Sequence, residues 1–585
     1  MNRSARWAIA GLLLLMVGSP LATLFRHHLS LDVLASIRHD ADRLTPQLIS
    51  TLSLMLLVVA LSVPAGASQA FAMRRPGVRG RRWLGAAVLA GLFVPLPVWA
   101  VSWQIILGEW LPPLALEPGE VAWRPWTLGL LPAAWIHAIA AWPWAIAIVW
   151  LALRTSNPAL DDEASQTGGP RGVFRWVTMP KLAWAVLAAA CFIGMQAGTE
   201  IAITDAMMVR TFAEEVYTQM VVRSTGLGGA IAATIPVWLG SALALALVAR
   251  FGMKRFRAVG ADLRLAPSRE GDFSISNTLL AWSPIALYLG LPVGALFWKT
   301  ASGGNFAGRM EKLIRTEWLT LLDSLAAALL AGAFTASLAW LACAAAGRSP
   351  RFRIALFVGG LLLIAVPGPL VGFAIKEATV EIVVAERSIL QALEFDPEFP
   401  PLRSMLYDQP SPIPGIWSSC LRFFPLACAL LAVAMQRIPK SLVETAEAEA
   451  SNRSGPLRRV IAPLTARSFL IVAVATAALA FGEVSAGKLA QPPARGVAVL
   501  RLFDQMHYGA ESSVAGFCLL QLVATWGILC VLVGLIPERT PRISPAEILH
   551  PEVRPCRASR TLRRRPPSEN SCSPRPTPAS SLSAS

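Results

Sequence analysis

A chain of 585 residues that is 55% hydrophobic and 15% charged, with a mean hydropathy of +0.54, is too apolar for an ordinary soluble domain. Its net charge of +16 and pI near 10.2 would suit a nucleic-acid binder, but the basic residues sit in short connections between apolar runs and in the tail. That is the positive-inside pattern of a membrane protein, so a lipid bilayer and no nucleic acid is expected.

Apolar runs of about 20 residues read as transmembrane helices, because a bilayer core of roughly 30 Å needs that many at about 1.5 Å each. Twelve are expected, at 7–25, 48–72, 83–107, 128–153, 181–199, 227–249, 278–298, 319–345, 354–375, 414–436, 467–486 and 514–536. The first follows Arg3 and Arg6 as a signal peptide does. It is long, however, and the HHLSLD behind it has no small-residue cleavage site, so a retained anchor is expected. Five Arg lie in 74–82, six Lys or Arg in 250–269, three Arg in 348–353 and six Lys or Arg in 437–467. These are alternate connections, whereas 376–412 carries seven acidic and three basic residues. Both termini are therefore expected in the cytoplasm. The chain divides into a first six-span half (1–250), a cytoplasmic linker (251–277), a second half of the same orientation (278–536) and a basic tail (537–585) whose composition predicts disorder. The 20 Trp, among them Trp99, Trp103, Trp110, Trp123 and Trp126, suit membrane-interface belts.

One stretch occurs twice: DEASQTGGPRGVFRWVTMP at 162–180 and ETAEAEASNRSGPLRRVIAP at 444–463. Each opens on an acid and an Ala-containing helical run, and then meets a break, Gly168-Gly169-Pro170 or Ser454-Gly455-Pro456. Each continues through Arg171 and Arg175, or Arg458 and Arg459, to a proline and an apolar span. Twenty residues past each proline stands a glutamate, Glu200 and Glu483. At 1.5 Å per residue this is about 30 Å, so both are expected near the outer end of their spans. They are candidates for the outer mouth of a pathway or for contact with a delivery protein, with Asp205 beside them; helix-end glutamates paired with Arg210 or Lys488 are the plainer reading.

The second copy resembles the EAA loop of binding-protein-dependent ABC transporter permeases, whose pattern is Glu-Ala-Ala, three residues, Gly, nine residues, then Ile-x-Leu-Pro. Glu444, Ala446, Val460 and Pro463 match its spacing, with Ala450 at the glycine position, Thr445 at the second position and Ala462 at the leucine. In the first copy Asp162, Ala164, Gly168, Val177 and Pro180 fit, with Glu163 in the acidic run and the spacing after the glycine shorter by a single residue. Two fused halves are similar to ferric-iron-type permeases, with thiamine-type permeases as relatives. Local echoes are AVPGPLVGFAI (365–375), TEIAITDAMMVRTFAEEVY (199–217), FGEVSAGKLAQPP (481–493) and DQMHYGAE (504–511).

The resemblance implies an all-α polytopic protein of the bacterial cytoplasmic (inner) membrane, with two tandem homologous halves and a cytoplasmic coupling loop in each. It implies two copies of an ATPase subunit docking on those loops, an external solute-binding protein, and ferric iron as solute. No GxxxxGK[ST] phosphate loop occurs, so ATP and Mg are expected on the partner and no cofactor on this chain. No HExxH, GxSxG or EF-hand spacing occurs, and eight scattered cysteines form no CxxC pair, so neither catalytic residues nor a metal site are expected. Two other classes stay open. A secondary transporter with a 6+6 parallel repeat needs ionisable groups within its spans, for which His137 and Asp323 are candidates; a membrane-embedded transferase needs acids at the boundary, where no motif organises them.

Overall fold

In hydrocarbon the backbone can satisfy its N–H and C=O groups only within itself, so long apolar stretches fold as helices. The computed structural model describes residues 3–28, 41–111, 124, 126–156, 158–222, 227–258, 264–265, 272–302, 304–347, 349–395, 400–449, 455–492, 495–509 and 511–535. The expected tail, residues 259–263 and 266–271 of the linker, Trp123, Ala450 and Ser454 lie outside the described residues. Within them the chain is an α-helical, multi-pass membrane protein, with ten helices long and apolar enough to cross a bilayer and two further bent pairs. The two-residue bridge of Thr155 and Ser156 with Leu265 and Arg264 is the one β pairing among the described residues.

All twelve expected spans are helical, but two of them are not straight. The expected 83–107 span is Arg81–Leu92 followed by Leu96–Trp110, turned by 96°, and 354–375 is Pro350–Ile364 followed by Gly368–Ala392, turned by 107°. Both breaks carry Val-Pro-x-Pro: Val94-Pro95-Leu96-Pro97 and Val366-Pro367-Gly368-Pro369. The first proline of each pair removes an N–H and pushes the residue before it out of the helical region. Pro95 (φ −59°, ψ 140°) and Pro367 (φ −55°, ψ 140°) then cap the second limb, whose own first turn tolerates the other proline. Because that limb runs to Ala392, residues 376–392 are helix instead of the outer loop expected there.

The repeated stretches also differ from expectation in one respect. The helix from Pro158 breaks at Gly169, whose φ of +57° and ψ of −156° favour a residue without Cβ. Beyond the break the chain does not stop at Pro180. A π turn over Val173–Thr178 precedes Met179–Thr199, and Leu457–Ile461 likewise precedes Ala462–Phe481, so Pro180 and Pro463 each enter a continuing helix just after a widened turn that accommodates the missing N–H.

Several interface tryptophans prove to be core residues. Trp99 (2% exposed) packs against Tyr288 with ring centroids 5.0 Å apart, and Trp103 meets Trp135 edge-on at 5.4 Å. Trp110 is more exposed and contacts Trp298, while Trp126 donates to the Leu107 carbonyl at 2.9 Å. The N-terminal helix is docked: Leu24 is buried, and the Trp417 indole donates to the Met16 carbonyl at 2.7 Å.

Candidate functional site

The two glutamates that follow the repeated stretches share one environment. Glu200 ends the helix Met179–Thr199 in an extended conformation and precedes the short helix Ala202–Ala206. Its Oε1 accepts from the backbone N–H groups of Ile201 (3.2 Å) and Ala202 (3.1 Å), donors a helix start leaves free. The Ser485 hydroxyl, from far along the chain, donates to the same oxygen. Glu483 stands just after Ala462–Phe481 and before Gly487–Ala490, and its Oε1 accepts from Ala486 N–H at 2.9 Å. Each carboxylate thus caps a short helix that follows its span.

Between them lies a cavity of about 130 Å³, lined by Glu200, Glu483, Arg422, His137, Gln196 and the first proline break at Pro95. Arg422 is buried on the helix Ile413–Gln436. Its guanidinium donates to the Val366 carbonyl (3.0 Å), at the second break, and to Thr199 Oγ1 (3.3 Å), next to Glu200. A cation suits the carbonyl end of the limb Pro350–Ile364 and balances the adjacent carboxylate. His137 is buried on Leu130–Arg154, and its Nε2 has no hydrogen-bond partner among the described residues.

Counting from Pro180 and Pro463 puts both glutamates at the outer ends of their spans. The spans do end at Thr199 and Phe481, just before them, and the cavity beside them is lined further along the helices Leu44–Arg74, Leu130–Arg154 and Ile413–Gln436 by Val58, His137 and Arg422. Pro180 itself is no end of the span, since helix 160–199 runs through it. Neither glutamate pairs as expected with Arg210 or Lys488. Glu200 takes Ser485, and Lys488 bridges to Asp504.

Asp205 is not brought into the cavity. It meets His507 Nε2 at 3.2 Å, while His507 Nδ1 donates to the Phe503 carbonyl at 2.8 Å. A carbonyl can only accept, so both ring nitrogens are held as donors, and the Asp205 hydrogen bond raises the His507 pKa above its ordinary value against a smaller lowering by burial. The Phe503 carbonyl and the charges of Asp205 and Asp504 act in the same direction. A folded-state pKa raised above the unfolded value near 6.5 gives stability that is complete below about pH 6.5 and is lost as pH rises through the folded pKa. His507→Gln is therefore expected to lower the unfolding midpoint at pH 6 and to close on the wild type as pH rises. A midpoint difference independent of pH between 6 and 9 contradicts this.

Asp323, the other expected mid-span group, pairs with Arg495 at 2.7 Å and does not line the cavity. On the repeated stretches Asp162, Glu163, Gly168 and Glu444 are exposed; Ala164, Pro180 and Ala446 are half-buried, and Pro463 is exposed. Sequence reasoning does not single out Arg422 or Ser485. A signal for Arg422 exists, as it is the sole charge in the 24 residues of its helix. Ser485 carries none, since its role depends on a partner 285 positions away. Comparison with family models, curated proteins and solved structures finds no match for this chain.

Proposed function

We propose that this chain is the permease subunit of an ATP-driven importer, forming the pathway for a solute that an external binding protein delivers. The observation that carries the reading is the link between loop and cavity. Two helical segments, 158–168 and 440–449, with Asp162, Glu163 and Glu444 exposed, each precede a π turn and a helix that ends beside a carboxylate of one cavity. A rigid helix of 20 residues spans about 30 Å, enough to carry a displacement at the loop to the cavity. Matched proline breaks, π turns and capping glutamates support two tandem homologous halves.

In this reading two ATPase subunits, holding ATP and Mg, dock on the loops around Asp162, Glu163, Ala164 and Gly168 and around Glu444, Ala446 and Ala450. Their closure moves the halves between inward-facing and outward-facing states, in a bacterial inner membrane with both termini in the cytoplasm. Ferric iron is the solute that the resemblance favours, with thiamine or another small solute as alternative. A second reading, a secondary transporter, gains from the ionisable groups gathered in the cavity, since such groups within spans mark coupled pathways.

Gentle purification from the native membrane separates the two. Two ATPase subunits per chain are expected to co-elute, and the double variant Asp162→Lys, Glu444→Lys is expected to lose them while the chain stays folded. Retention of both subunits by that variant removes the loops from docking. Solute movement by the purified chain in vesicles without ATP selects the secondary transporter.

A further inference from the structure

We infer that the joint between loop 74–82 and residues 272–282 is a binding site for the headgroup of an anionic phospholipid, one whose phosphate diester has no amine to balance it. The joint is separate from the cavity, and the inference does not rest on the permease reading.

Three features converge there. The first is depth. The spans Leu44–Arg74 and Ile275–Ser302 and the bent pair that starts at Arg81 each have an end at this joint, which places it where hydrocarbon gives way to headgroups. A phospholipid is therefore its neighbour, and the side chains present decide which headgroup is favoured. The second is charge. Residues 74–82 carry five Arg, and Asp272 is the sole acid in 72–83 and 272–285. Arg75, Arg79 and Arg82 are exposed, and neither Arg75 nor Arg79 has an acidic partner among the described residues. Arg75 gives one N–H to Asn277 Oδ1 at 3.3 Å. Arg79 lies over the Phe273 ring at 4.1 Å, and its guanidinium makes no hydrogen bond among the described residues. Most of the five N–H donors on each guanidinium are thus left for phosphate oxygens. The third is an apolar border. Trp83 is 73% exposed, as suits an indole at headgroup level. Ile275 and Leu279 are exposed one turn apart on their helix, a face for an acyl chain.

The chain itself fixes the joint. Ser274 N–H donates to the Gly77 carbonyl, Asn277 Nδ2 to the Pro76 carbonyl and the Trp282 indole to the Arg79 carbonyl, each at 3.1 Å. Gly77 has a φ of +72°, and a Cβ there would strike the Asp272 carbonyl, so the loop sits close on the segment past the linker. Both Arg75 and Arg79 are thereby held against residues 273–277. A negative headgroup at this point offsets the mutual repulsion of the guanidiniums and fastens the two parts of the chain together.

The test uses the purified full chain in a neutral detergent. Unfolding midpoints are measured against mixed micelles of rising phosphatidylglycerol content, against phosphatidylcholine, whose phosphate is balanced by a trimethylammonium, and against sodium phosphate without lipid. A saturable rise with phosphatidylglycerol and a much smaller one with phosphatidylcholine are expected, as linkage to binding by the folded state requires. The double variant Arg75→Gln, Arg79→Gln is expected to raise the half-saturating lipid concentration roughly thirtyfold, the worth of two arginines at an anionic surface. Arg351→Gln, Arg353→Gln is the control: it removes two exposed arginines at the start of the helix Pro350–Ile364, and no change is expected. An equal rise with phosphatidylcholine overturns the site by removing its charge selectivity. An equal rise with sodium phosphate overturns the lipid as its occupant. Equal responses of the two double variants overturn it in favour of a general surface potential. Should Arg75→Gln, Arg79→Gln not fold, the lipids that the wild-type chain retains from equimolar phosphatidylglycerol and phosphatidylcholine vesicles are weighed by mass spectrometry. Enrichment of phosphatidylglycerol is then expected, and equal retention overturns the site.

Discussion

Alanine at position 422 is expected to be the most damaging single change to this protein. The Arg422 guanidinium ties its own helix to two other segments, at the Val366 carbonyl and at Thr199 Oγ1, and lines one cavity with the Glu200 carboxylate next in the chain. Removing one partner of a buried ionic group costs about 3–5 kcal/mol, because the other charge is left uncompensated. The unfolding midpoint of Arg422→Ala should therefore fall steeply in detergent. Neutralising the stranded acid should return some of the loss, so Arg422→Ala, Glu200→Gln is expected to be more stable than Arg422→Ala alone. Strict additivity of the two changes in a double-mutant cycle would show that the pair does not interact. Lysine is expected to be a poor replacement, since its single ammonium cannot reach two acceptors as a planar fork does.

The second large effect is steric. Gly372 lies on the helix Gly368–Ala392 where the segment after Glu483 crosses it, and a Cβ built there comes 2.3 Å from the Ala486 carbonyl oxygen. Valine must displace that backbone, and overpacking of this kind costs about 1–3 kcal/mol or more. The displaced stretch carries Ser485 and follows Glu483, so Gly372→Val is expected to lower the midpoint and to perturb the cavity together. Gly359→Val supplies the control. Its Cβ meets nothing within 4 Å, and its expected effect is within about 0.5 kcal/mol. Equal midpoints for the two variants would remove close backbone approach as the reason for glycine at 372.

The helical spans were legible because hydrophobic run length is a local property and hydrocarbon leaves the backbone no other solution. The two breaks were harder. Proline occurs within straight spans of this same chain, at Pro64, Pro143 and Pro425, so a single proline is no signal. The distinguishing feature is a pair at i and i+2, where one proline ends a limb and the other starts the next. Gly169 was legible as a break because glycine followed by proline leaves the helix little choice. The place of Glu200 at the end of its span was legible too, although a π turn lets the helix continue through Pro180. Arg422 and His137 show a further limit. A lone charge in an apolar run is visible, but that both line one cavity with Glu200 and Glu483 is a fact of tertiary packing. Trp99 and Trp103 illustrate the converse, since composition suggests an interface belt while packing against Tyr288 and Trp135 makes them core.

The contact between Glu200 and Ser485 also bears on biosynthesis. The two residues are 285 positions apart. At translation rates of about 5–20 residues per second, Glu200 leaves the ribosome about 15–60 s before Ser485 does. Throughout that interval the nascent first half carries a carboxylate whose final hydroxyl donor has not been made, and Thr199 waits similarly for Arg422. The first half is thus an unfinished object while it emerges. The insertion machinery must shelter it, or water must solvate it, until the last spans arrive and close the site.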